Sequence, residues 1–93
     1  MVQEILHTGA RNAQTASALA DILHCKTRDI SKMVEIERRK GAPICASCGS
    51  RPGYYLAETP EELESYCKAL YVRAGRIFRT RRGLLKALEK MKS

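Results

Sequence analysis

Three prolines, Pro43, Pro52 and Pro60, stand close together in the middle of the chain and divide it. Proline lacks the amide that a helix interior needs and its ring collides with the preceding turn, so long helices are confined to the chain before Pro43 and after Pro60. Between these limits, Ala42-Pro43-Ile44-Cys45-Ala46-Ser47 and Tyr54-Tyr55-Leu56 are runs of small or β-favouring residues. They flank the Gly/Ser/Pro-rich stretch Cys48-Gly49-Ser50-Arg51-Pro52-Gly53. That pattern predicts a β-hairpin. The boundaries carry matching signals. Gly41 suits the left-handed conformation that ends a helix. Thr59-Pro60-Glu61-Glu62 supplies an N-cap, a first-turn proline and the glutamate of a capping box.

Upstream of the hairpin the spacing predicts two helices between Thr15 and Lys40. Thr15 is the N-cap of the first, and Leu19, Ile22 and Leu23 recur at three- and four-residue steps along one face. His24-Cys25-Lys26 breaks that pattern. Thr27 is suited to cap a second helix, with Ile30, Met33, Val34 and Ile36 on an apolar side and Arg28, Ser31, Lys32 and Glu35 on the other. A short helix is expected over Val2–His7, with Ile5 and Leu6 packing on the later helices. Gly9 ends it, and Gly9–Gln14 forms a polar connector.

Two helices joined by a short turn and followed by a hairpin have the order of a winged helix-turn-helix. In that arrangement Lys26, Thr27, Arg28, Ser31 and Lys32 stand at the start of the recognition helix, Arg39 stands at its end, and Arg51 sits at the tip of the wing, within reach of a phosphate or the minor groove. The plainer alternative is a pair of amphipathic helices with solvated charges and an ordinary loop arginine.

The last third reads as one long helix. Leu63, Cys67, Leu70, Ala74, Ile77, Arg81, Leu84, Leu88 and Met91 alternate four- and three-residue steps, the spacing of a coiled-coil seam, and Tyr66, Tyr71 and Phe78 widen it on one side. Roughly 34 residues extend on the order of 50 Å, longer than so small a domain covers. The division expected is a domain over residues 1–58 and a basic helix over 59–93. Leu63, Cys67, Leu70, Ala74, Ile77, Leu84 and Leu88 are the candidate contacts of a homodimer. The alternative is a helix that folds back, broken at Gly83; Gly75, Gly83 and Arg81 all weaken the seam.

Charge refines this division. The chain carries 17 Lys and Arg against 10 Asp and Glu, a net +7 that suggests an anionic partner: nucleic acid, an acidic protein or a membrane surface. Lys68 to Lys92 holds nine bases against Glu89 alone, so this tail is +8 and the rest of the chain sums to −1. Even so, Lys26, Arg28, Lys32, Arg38, Arg39 and Lys40 concentrate six bases around the second helix.

No catalytic constellation is visible: His7 and His24 have no nucleophile at a recognisable spacing, and no glycine-rich phosphate loop occurs. Cys45 and Cys48 have the gap of a zinc knuckle, but Cys25 and Cys67 are distant single cysteines without a paired histidine. The four therefore read as reduced structural thiols, with no metal or cofactor expected. No run approaches the roughly 18 apolar residues of a membrane span, and MVQEILHTG carries an acid where a signal peptide would be basic. These features point to the cytoplasm.

The run from Leu19-Ala20 through Thr27-Arg28-Asp29-Ile30 to Arg38-Arg39-Lys40-Gly41-Ala42-Pro43-Ile44, closed by Gly53-Tyr54-Tyr55-Leu56, resembles winged helix-turn-helix DNA-binding domains. It is similar to the amino-terminal domain of the biotin operon repressor, in which a basic helix end, a Gly-x-Pro-Ile and a Gly-Tyr-x-Leu frame the wing. It is more similar still to small phage and mobile-element proteins of Gram-positive bacteria, which share the Thr8-Gly9 and Asn12-Ala13 opening. The resemblance spans roughly residues 5 to 65, and one departure is Glu37, where the repressor-type pattern usually has leucine. It implies a homodimeric, sequence-specific binder of double-stranded DNA, a transcriptional regulator or accessory factor of a phage or mobile element. The alternative is an interaction module of the same shape that docks an acidic protein through its basic C-terminal helix.

Overall fold

The computed structural model describes residues 1–47 and 52–93. The chain is mainly helical with one antiparallel hairpin, and it forms two compact units, Met1–Leu63 and Glu64–Ser93. The first unit contains α1 (Val2–Ile5), a 3₁₀ turn (Ala10–Asn12), α2 (Ala16–Leu23), α3 (Thr27–Arg39), β1 (Ile44–Ser47) and β2 (Gly53–Leu56). It also holds the first turn of α4 (Pro60–Lys92), and the rest of that helix is the second unit.

The helix ends of the first unit follow from local chemistry. Thr15 Oγ1 accepts from the Ala18 amide at 3.0 Å, as expected of an N-cap. α2 stops where His24 takes a left-handed conformation (φ 55°) and the Cys25 amide bonds back to the Ala20 carbonyl at 3.0 Å. The expected Thr27 cap is displaced by one residue: Lys26 is the N-cap and Thr27 is already helical. The Asp29 carboxylate accepts from the Lys26 amide at 3.2 Å, the return half of a capping box that fixes the helix start at Lys26. At the other end Gly41 (φ 100°) closes α3. The Gly41 amide bonds the Arg38 carbonyl and the Ala42 amide the Glu37 carbonyl, both at 3.0 Å, which forms a Schellman motif.

The core is built from Val2 and Leu6, Leu19 and Ala20 of α2, Ile30 and Val34 of α3, and Ile44 of β1, all buried. Each large side chain among them contributes about 1.5–3 kcal/mol by leaving water. Four expectations are corrected here. Ile22 and Ile36, assigned to the apolar faces, are both 52% exposed. The helix expected over Val2–His7 is a single turn, because Leu6 is already extended. Gly9 does not end that helix: with φ 90° it precedes the 3₁₀ turn, and its amide bonds the Leu56 carbonyl at 2.9 Å. The connector is not merely polar, since Gln14 exchanges both backbone hydrogen bonds with Tyr54, at 2.9 and 2.8 Å.

β1 and β2 pair antiparallel, with Ile44 opposite Leu56 and Cys45 opposite Tyr55. Thr8 and Gln14 bridge the other edge of β2, so that strand is paired on both sides and offers no long open edge. This crowding explains Gly53, whose φ is 149° and where a Cβ would stand 2.5 Å from the Gln14 carbonyl oxygen.

α4 opens on Thr59 Oγ1, which accepts from the Glu62 amide at 3.1 Å. The reciprocal half of the predicted capping box is shifted, since the Glu62 carboxylate accepts from the Glu58 amide at 2.7 Å and not from Thr59. The helix runs unbroken through Gly75 and Gly83, so the alternative of a break at Gly83 is not what the structure has, and no α4 residue is buried. No helix among the described residues is long and apolar enough to cross a membrane.

Candidate nucleic-acid interface

One face of α3 is used by the fold and the other is not. Ile30 and Val34, four residues apart, turn into the core. At about 100° per residue, Arg28, Lys32, Glu35 and Arg39 fall within a narrow stripe on the far side, with Ser31 beside it, and all five are exposed. Lys26 and Thr27 are exposed at the start of the same helix. Six of the seven residues expected to bind DNA, Lys26, Thr27, Arg28, Ser31, Lys32 and Arg39, thus lie along or at the start of one exposed helix. The seventh, Arg51, lies outside the described residues, as does Cys48.

Two stripe residues have partners. Arg39 pairs with Glu35 one turn back, and both side chains are largely solvated, so the pair is weak and leaves Arg39 available to a stronger anion. Ser31 Oγ stands 3.4 Å from the Tyr54 hydroxyl, which links α3 to β2. The adjacent arginines at the helix end have different roles. Arg38 turns inward, donates from Nε to the Ile44 carbonyl at 2.8 Å and sets its guanidinium 5.9 Å from the centre of the Tyr54 ring. It braces the hairpin, so of the six bases counted around α3 it is the one assigned to structure.

Sequence reasoning missed Tyr54 as the residue that joins hairpin and helix. Its position in a strand one residue after a glycine gave no sign of a hydroxyl partner 23 residues earlier. It also missed the role of Glu37. That carboxylate accepts from the Val2 amide at 2.9 Å and the Gln3 amide at 2.8 Å, and lies 3.3 Å from the Met1 ammonium. Burial alone would raise its pKa, but the Gln3 and Val2 amides and the ammonium together hold it below the usual 4.5. The departure from leucine is therefore a cap that fastens α1 to α3.

The seam residues of α4 are distributed over its exposed surface. Ile77, Leu84 and Leu88 are exposed to 61, 66 and 44%, Leu70 to 39%, and Cys67 is exposed as a free thiol; Leu63 and Ala74 are half-buried. Tyr71 and Phe78 add further apolar surface at 82 and 64% exposure. Cys25 is half-buried and Cys45 buried, neither in a disulfide, and among the described residues no three His, Cys, Asp or Glu side chains converge.

No family model, curated protein or solved structure matches the chain.

Proposed function

We propose that the chain is a winged helix-turn-helix protein that binds double-stranded DNA in a sequence-specific way, as a regulator or accessory factor of a phage or mobile element. The observation that carries this reading is α3 itself: a helix anchored through Ile30 and Val34 whose opposite stripe presents Arg28, Lys32 and Arg39. In the reading, α3 enters the major groove, its first turns meet base edges, and Lys26 and Arg39 meet phosphates at either end. The hairpin, braced by Arg38 and Tyr54, is the wing.

Binding to duplex DNA measured against salt tests the proposal. Phosphate contacts by Lys26 and Arg39 predict a slope of log K against log salt of about −2, and steeper if further bases also meet phosphates. The tail's +8 charge favours a second reading, an interaction module that docks an acidic protein through α4. That reading wins if no duplex of any sequence binds at low salt.

A further inference from the structure

The apolar stripe of α4 has no cover from its own unit, and its charge pattern identifies the partner that fits it. Three of the helix's four acids, Glu61, Glu62 and Glu64, lie in its first turns and the fourth, Glu89, near its end, while its bases run from Lys68 onward. A parallel, in-register pair would set every base beside its own copy and would bring the two Arg81 side chains, which occupy a seam position, face to face. Like charges buried together in this way disfavour association.

An antiparallel pair removes both conflicts. With Ala74 of one copy opposite Ile77 of the other, stepping four residues in opposite directions sets Leu70 against Arg81. Stepping seven sets Cys67 against Leu84, and stepping eleven sets Leu63 against Leu88. Every layer from Leu63 to Leu88 then falls on a seam residue in both helices. The arrangement separates the two Arg81 residues by about 16 Å along the axis. Arg81 then meets Leu70, along which its aliphatic stem can pack while the guanidinium reaches water. Tyr71 comes within two residues, about 3 Å along the axis, of Phe78 of the other copy, which places two exposed aromatic rings beside the seam. Glu61 and Glu64 come alongside Lys90 and Lys86 of the other copy, while Glu62 comes level with its Glu89. The outer face keeps Arg76, Arg79 and Arg82 exposed to water.

We infer that α4 forms an antiparallel homodimer in this register, with a second copy of the chain as the occupant of its apolar stripe. The inference rests on α4 alone and holds whatever α3 binds.

Thiol cross-linking of the full chain tests it, with linked peptides identified by mass spectrometry and the mass of the unoxidised protein measured by sedimentation. Cys67 is a free, exposed thiol on the seam, and Leu84 is 66% exposed, so Leu84→Cys leaves the core of the first unit untouched. The expected result is a dimer by sedimentation. On mild oxidation the wild type gives no Cys67–Cys67 link, and the variant gives a link between Cys67 of one copy and the introduced thiol of the other. A Cys67–Cys67 link in the wild type, a dimer that shows neither link, or a monomer overturns the inference. A monomer that instead sediments with vesicles containing phosphatidylserine would assign the apolar and basic faces of α4 to an anionic membrane surface.

Discussion

Arg28 and Glu37 stand on opposite sides of α3 and make separate demands on it. Arg28 is exposed in the first turn, where a groove-reading residue of the proposed fold sits. Replacing it with alanine is expected to cost about 1–3 kcal/mol on a preferred duplex and much less on random DNA, as titration of both would show. An equal loss on the two would make Arg28 a phosphate contact. Glu37 governs acid stability. Its carboxyl is held below its ordinary value in the folded chain, so its stabilising contribution is fully present above pH 4.5 and fades as pH falls through the lower, folded value. Glu37→Gln should therefore melt below the wild type at neutral pH, and the gap between the two melting temperatures should close as pH drops below the carboxylate range. The exposure of Arg28 could be read from helical spacing alone. The role of Glu37 could not, because the amides it caps lie 34 and 35 residues away and only the packing of α1 on α3 brings them together.

At the scale of elements, legibility follows the range of the interactions. Gly41, Thr15 and Thr59 act on backbone groups a few residues away, so their punctuation was readable and the ends of α3, α2 and α4 fall within a residue of expectation. The displaced cap at Lys26 and the shifted glutamate of the α4 capping box are also local. They turn on which of two neighbouring amides a carboxylate reaches, a choice that spacing does not decide. The pairing of β2 with Thr8 and Gln14 is long-range, and it was hidden in what looked like a polar connector. Gly53 shows its consequence. A methyl group there would meet the Gln14 backbone at 2.5 Å, in a backbone conformation that side chains rarely adopt. Gly53→Ala should destabilise the first unit by more than the roughly 1 kcal/mol typical of a point substitution, read as a lowered denaturant midpoint. Gly41→Ala should cost less, since nothing lies within 4 Å of its position and only the backbone conformation resists.

For the whole molecule, the positive charge and the exposed apolar stripe belong to the same helix, so truncating α4 would confuse two effects. Cutting after Tyr71 removes eight bases, Arg73 to Lys92, together with most of the seam, and would weaken DNA binding for either reason. Substituting Ile77 and Leu84 with glutamine separates them. Both side chains are more than 60% exposed, glutamine is a good helix former, and the charge is unchanged. The double variant should keep the helical content of the wild type while sedimenting as a monomer. If two copies of α3 act on one duplex, its affinity for a site with two half-sites should fall by about 10²–10⁴, the gain in effective concentration that a linked second module supplies. Its affinity for a single half-site should be unchanged, because Arg28, Lys32 and Arg39 are untouched. A variant that loses affinity equally for one and two half-sites would mean that α4 supports DNA binding by contacts of its own, and a variant that still sediments as the wild type does would remove α4 as the seam between copies.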